Sequence, residues 1–233
     1  MKSISILMSA ALIAGMSTNA SAEPALGSRL GSNLESHNQV YSPAEADRKA
    51  RAMVSCGLAK HAVSAQSLLD AADKRTADKA TRALLSEENC NMLGEARAMS
   101  DTTQFTYPTD VLRGMIAEQM VSNRLEQARV LPRLPIERTY SRPWFAMTGR
   151  EAVVDAMAVC LSENDPANVV GLLRTQAYSP AEMAAVQALG PTLGQCLQVG
   201  YKLRANRQTL RAAVAEGLYH RLMTPAAVAP AGK

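Results

Sequence analysis

Two stretches of this chain repeat one another, and the repetition constrains its fold more than any other feature. With Cys56 set on Cys160, an offset of 104, Ala52-Met53-x-x-Cys56 falls on Ala156-Met157-x-x-Cys160. Leu68-Leu69 falls on Leu172-Leu173, Ala77-Asp78 on Ala181-Glu182 and Leu85 on Leu189. Inserting two residues brings Cys90 onto Cys196. After a longer gap, Leu112-Arg113-x-x-Ile116-Ala117-Glu118 falls on Leu210-Arg211-x-x-Val214-Ala215-Glu216. Single identities between alanine-rich helices carry little. Two cysteines and one LRxx(I/V)AE string in the same order read as a diverged tandem duplication.

The repeated unit reads as helical. Apolar residues make up 47% of the chain and aromatic residues only 4%, with Ala, Leu, Met and Val prominent. Ala, Leu and Met favour helix, and the aromatic and β-branched residues that strands draw on are scarce. The expected fold is all-α: a tandem duplication of a disulfide-braced multi-helix unit in a compact, orthogonal-type bundle. Ser42-Pro43-Ala44-Glu45 predicts a capping box opening a helix from Pro43 to about Lys60. Further helices are expected near Ser64–Ala72, Ala77–Leu85 and Glu87–Met99, and a long one from Thr109 or Asp110 to about Arg129. In the second copy, Thr148-Gly149-Arg150-Glu151 reads as a capping box before the Cys160 helix. Asp165-Pro166 opens a short helix to Leu173, and Ser179-Pro180-Ala181-Glu182 opens the next. Gly190-Pro191 is expected to break that helix before a short one bearing Cys196. The last helix spans about Arg207–Met223.

The segments outside these helices divide the chain. Residues 1–22 read as a secretory signal: Lys2, an apolar run from Ile4 to Gly15, and an Ala20-Ser21-Ala22 cleavage site. The run is shorter than the roughly 20 apolar residues of a spanning helix. Residues 23–42 then form a flexible arm, 43–129 the first repeat, 148–224 the second, and 225–233 a disordered tail. Between the repeats, 130–147 contains Pro132, Pro135 and Pro143, which exclude a continuous helix. It also holds Trp144, the only tryptophan, beside Phe145 and Tyr140. It reads as an aromatic linker or strap over both copies. The expected location is the periplasm or the medium, with no membrane span after signal removal. Cleavage lowers the net charge from +4 to +3, with arginines and lysines scattered among acids. That pattern is a mixed, solvated surface and not a nucleic-acid footprint, although it leaves weak attraction to an anionic envelope component open.

Four cysteines in an exported chain suggest two disulfides, and four cysteines allow three connectivities. Pairing within each copy, Cys56–Cys90 and Cys160–Cys196, is the arrangement a duplication carries unchanged. The loops span 34 and 36 residues. No close Cys-x-x-Cys pair or neighbouring histidine suggests zinc or redox chemistry.

A search for chemistry finds no catalytic motif, metal set or cofactor loop. His37, His61 and His220 are isolated and read as structural or solvent-facing. Glu87, Glu88 and Glu163 are formally available carboxylates but read as solvated helix termini, and the methionines as core filler. The distinctive polar residues are Arg113 with Glu118 and Arg211 with Glu216. Five positions apart, the two members of a pair lie about 140° around a helix and do not meet each other. Each is expected to reach another helix as a buried or half-buried ion pair. Were both arginines to face one cleft, they could clamp an anionic ligand.

The second copy's strings are Cys160, Asp165-Pro166, Leu172-Leu173-Arg174-Thr175, Ser179-Pro180-Ala181-Glu182, Cys196 and Leu210 to Tyr219. On these the chain resembles small exported alphaproteobacterial helical proteins of unassigned function, closely over 151–222 and more loosely over 44–121. The resemblance implies no activity. The leading expectation is a non-enzymatic interaction or scaffold protein of unknown partner, which requires a contiguous exposed apolar patch. The alternative is a binder of a small anionic or apolar ligand, requiring a pocket between the repeats that holds Arg113 or Arg211. A carboxylate-dependent envelope hydrolase comes third and requires two converging carboxylates, one with a raised pKa. Trp144 joins the two Arg–Glu sets as a candidate partner or ligand contact.

Overall fold

Ser42 opens the first helix as its tetrapeptide predicts. Its side chain accepts from the Glu45 backbone N–H at 3.4 Å, and its own N–H donates to Glu45 Oε2 at 2.8 Å. The chain's architecture is known from a computed structural model that describes residues 42–85, 108–137, 139–203 and 206–223. Among these residues every regular element is a helix. They are α1 (Pro43–Leu69), α2 (Lys74–Leu84), α3 (Thr109–Val121), α4 (Leu125–Arg129), α5 (Ala152–Asn164), α6 (Pro166–Leu173), α7 (Pro180–Cys196) and α8 (Arg207–Met223). Short 3-10 turns cover Ser122–Arg124 and Pro143–Met147.

Several boundaries differ from expectation, each for a local reason. The two helices expected around Lys60 are one run with a kink at His61 (φ −131°, ψ 43°). Asp165, 104 positions on, has nearly the same angles (φ −138°, ψ 52°) and separates α5 from α6. There Pro166 has no N–H to carry helical bonding through the bend, whereas Ala62 does. Thr148 to Glu151 is not a capping box. Glu151 is the N-cap and makes no side-chain cap bond. Thr148 is instead buried and donates to Asp155 Oδ2 at 2.7 Å, and Gly149 (φ +76°) turns the chain between them. Pro191 sits inside α7 without ending it. The carbonyl it leaves without a donor, on Gln187, belongs to an exposed residue that water can serve. The long helix expected to Arg129 is divided into α3 and α4 by the 3-10 turn.

α3 and α8 form the centre of the bundle and share its most extensive contact. Both are buried nearly all round, as expected of helices without a polar face. Val111, Leu112, Met115 and Ile116 on α3 and Leu210, Val214 and Leu218 on α8 are at most 8% exposed. The backbones touch where Gly114 meets Ala212, since a Cβ at position 114 would overlap the Ala212 Cα and Cβ. At Gly217 a Cβ would stand 2.8 Å from the Ala158 carbonyl oxygen, so α5 also packs closely on α8. α1 lies against α3 and carries α2, α5 and α6 lie against α8, and α7 packs on α5 and α6. The main apolar core is continuous across both halves, from Val54 and Leu84 to Leu161 and Leu189.

Cys160 on α5 and Cys196 at the end of α7 form the second-half disulfide, with Cα atoms 5.6 Å apart. The Cys56–Cys90 pairing lies outside the described residues at Cys90, as do the signal, arm and tail segments, the Glu87–Met99 helix and His37.

Within residues 130–147 the chain is held against α5 and α8 at several points. The Leu134 N–H donates to the Glu163 carbonyl at 3.0 Å, and the Tyr140 hydroxyl donates to Glu163 Oε2 at 2.6 Å. The Arg221 guanidinium donates to the Pro132 and Ser162 carbonyls. Trp144 and Phe145 pack on Ala156 and Val159 of α5. The partners of the strap's anchors are thus on α5 and α8.

Candidate functional site

The four charged residues of the two LRxx(I/V)AE strings come together across the α3–α8 contact, and they are exchanged. Arg113 on α3 donates from Nε to Glu216 Oε1 on α8 at 2.9 Å, and its Nη2 approaches the same oxygen. Arg211 on α8 donates from Nε and Nη2 to the two oxygens of Glu118 on α3, at 3.0 and 2.6 Å. Each helix therefore supplies both an arginine and the glutamate for its neighbour's arginine. The 140° offset makes this possible by turning the two charges of one helix away from each other.

Each arginine also closes the end of a helix. Arg113 Nη1 and Nη2 donate to the Leu68 and Leu69 carbonyls at 2.6 and 2.8 Å. Arg211 Nη1 and Nη2 donate to the Leu172 and Leu173 carbonyls, both at 3.1 Å. These pairs of leucines end α1 and α6, where carbonyls lack helical donors and the dipole is negative. A planar guanidinium with five donors can make four bonds to a carboxylate and two carbonyls at once, one more than the three donors of an ammonium allow.

A second arginine balances each cluster. Arg150 bridges Glu216 and Asp155, with Nε 2.6 Å from Asp155 Oδ1. Arg51 bridges Glu118, at 2.9 Å, and Asp47, at 2.8 Å. Burial opposes the charge on Glu216, but Arg150 and Arg113 outweigh it and hold the carboxyl below the ordinary glutamate range. At Asp155 the order reverses, and burial outweighs Arg150 and raises the pKa. The first cluster holds two arginines against two carboxylates and is sealed, with Arg113 1% and Glu216 0% exposed in their side chains. The second is looser: Arg51 is 23% and Glu118 13% exposed. It also draws in the buried Glu182, 3.3 Å from Arg211 and 3.5 Å from Arg207.

Neither cluster leaves a cationic site for an anionic ligand. A cavity does lie between α1, α3 and α8, lined by Asp47, Arg51, Met115, Glu118, Gln208 and Arg211. Its volume is about 10 Å³, enough for about one water. Converging carboxylates occur at Asp155 and Glu216, but an arginine stands between them in a closed interior. A wider, open groove of about 560 Å³ runs along the end of α1 and the start of α2, past Asp70, Asp73 and Thr76. Asp73 caps α2 there through the Thr76 N–H, at 2.9 Å. Among the described residues, no group of three or more His, Cys, Asp or Glu is placed to hold a metal ion.

Trp144 is 6% exposed and stacks on His220, with ring centroids 4.2 Å apart and planes within 11°. It anchors the strap from beneath and does not present itself to a partner. His220 is half-buried beside it, with its pKa pushed down to about 4 by desolvation. Glu163 is not a solvated terminus, since it holds Tyr140. Sequence reasoning missed Arg51, Asp47, Arg150 and Asp155. The i,i+4 spacing of Asp47 and Arg51 was a usable signal, whereas Arg150 was assigned to a cap. No family model, curated protein or solved structure matches the chain.

Proposed function

We propose that this chain is an exported, non-enzymatic interaction protein that grew by tandem duplication and meets its partner through the strap between the repeats. The observation that carries the reading is the exposure of apolar side chains on that strap: Val130 is 80%, Leu134 41% and Ile136 43% exposed. They lie in a segment pinned by Glu163, Arg221 and the Trp144–His220 stack, so the display is held and not floppy. Three of the exposed large apolar side chains fall within seven residues of this one anchored segment, whereas Val63, Met183 and Val199 stand singly along the chain, and that concentration supports a contact surface there. The duplication is supported by the exchanged Arg–Glu pairs, by the matching leucine carbonyls they cap, and by the shared bend at His61 and Asp165. Export is supported by the Cys160–Cys196 disulfide, a bond that persists in oxidising compartments. No helix among the described residues is long and apolar enough to cross a membrane.

The test is affinity capture from envelope extract with the mature, oxidised protein. A Leu134→Ser/Ile136→Ser variant is compared with Met183→Ser, which removes an exposed side chain on α7. A component retained by wild type and by Met183→Ser, and lost with the strap variant, supports the reading. A component held equally by all three places the surface elsewhere. A small molecule co-purifying with all three, with nothing else retained, favours the ligand-binding alternative.

A further inference from the structure

The strap that displays these apolar residues, together with Arg129 at the end of α4, is also rich in basic residues. Residues 129–142 include Arg129, Arg133, Arg138 and Arg142 against a single acid, Glu137, a net +3 where the whole chain has +4. Arg129, Arg133 and Arg142 are exposed. Arg133 is 75% exposed in its side chain and reaches only one acid, Asp165, at 4.0 Å. The Arg142 guanidinium lies 5.4 Å from the Tyr140 ring centroid, over its face, and among the described residues no carboxylate holds it in an ion pair. These arginines differ from those of the interior, each of which is matched by carboxylates. The strap is the outer layer on α5 and α8 and lines neither cavity described above.

Resting on the interaction reading, we infer that the strap's partner is an anionic lipid surface, bound peripherally. Arginines attract lipid phosphates, and Val130, Leu134 and Ile136 enter the headgroup boundary between them. A soluble polyanion would use the charge and leave the apolar side chains in water. A small ligand would need a concavity, and the two cavities described above lie away from the strap. Interleaved basic and apolar side chains on an exposed, anchored segment suit a surface that is charged outside and apolar beneath.

The test is co-flotation of the full mature, oxidised protein with vesicles of equal parts phosphatidylglycerol and phosphatidylethanolamine, beside vesicles of phosphatidylcholine. Flotation is expected with the first and not the second, and should fall with added salt as surface attraction is screened. Arg129→Gln and Arg133→Gln should each weaken binding about fivefold, the effect of one basic residue at an anionic surface. Leu134→Ser/Ile136→Ser should weaken it further at unchanged charge. Unchanged thermal midpoints confirm that these exposed substitutions leave the fold intact. Equal flotation with both vesicle types, or none with anionic vesicles, overturns the inference. If vesicles fail while strap-dependent capture of a protein persists, the lipid partner is wrong and the interaction reading stands. If both fail, both fall.

Discussion

Arg211 reaches from α8 to Glu118 on α3 with Nη2 2.6 Å from Oε1, in a contact that water can still approach. Its counterpart, Arg113 with Glu216, is sealed. Removing Glu216 would leave Arg113 and Arg150 buried with a missing counter-charge, and breaking a buried pair costs about 3–5 kcal/mol. Glu216→Ala is therefore expected to destabilise by that amount in urea denaturation under oxidising conditions. Glu118→Ala should cost less, because solvent reaches Arg51. Equal costs would contradict the asymmetry between the clusters.

Gly114 and Gly171 provide a paired test of the α3–α8 contact. A Cβ at Gly114 would overlap Ala212, whereas at Gly171, exposed on α6, it would meet nothing within 4 Å. Gly171→Ala should stabilise by about 0.5–1 kcal/mol, the helix preference for alanine. Gly114→Ala should instead destabilise by about 1–3 kcal/mol, as overpacking does. Thermal denaturation of both variants reads the difference in sign.

His220 gives the protein a defined acid sensitivity. Burial lowers its pKa from 6.5 to about 4, so the unfolded chain takes up this proton before the folded one. The histidine therefore costs nothing above about pH 6.5, and stability falls as the pH drops from there toward about 4. The loss saturates below that, at about 3 kcal/mol. His220→Phe, which keeps a ring against Trp144, should lose this part of the slope. Urea midpoints of both proteins, measured near pH 7 and near pH 4, compare the two. Parallel pH dependences would show that His220 is not the source.

The Cys160–Cys196 bridge closes a loop of 36 residues between two buried cysteines, 0% and 1% exposed. In the chain-entropy model it contributes about 3–4 kcal/mol. The Cys160→Ala/Cys196→Ala protein should lose about that much. The native bond should resist added thiol until urea opens the core, as followed by mass shift after alkylation.

Much of the framework is legible in the sequence because short local motifs dictate it. Ser42-Pro43-x-Glu45 and Ser179-Pro180-x-Glu182 place two helix starts correctly, since an N-cap hydroxyl and an N1 proline act within one turn. The matching LRxx(I/V)AE strings point to Arg113, Glu118, Arg211 and Glu216, and the angular offset excludes pairing within a helix. That they exchange partners was not readable, because it depends on how α3 crosses α8 at Gly114. Pro191 was misread because a proline's cost depends on whether the freed carbonyl faces water, a property of packing. Thr148 was misread for the opposite reason: burial beside Asp155 outweighed its local capping preference. Trp144 stood out as the only tryptophan, but sequence could not say whether it faced a partner or His220.

The central claim is that this protein meets its partner through the strap and not through the charged interface between its halves. A photo-crosslinking amino acid placed at Leu134, and separately at Arg51 beside the small cavity, tests it inside the producing cells. The expected result is a discrete crosslinked lipid or protein adduct from Leu134 and none from Arg51. An adduct from Arg51 with Leu134 silent would contradict the claim and move the function to the cleft between α1, α3 and α8.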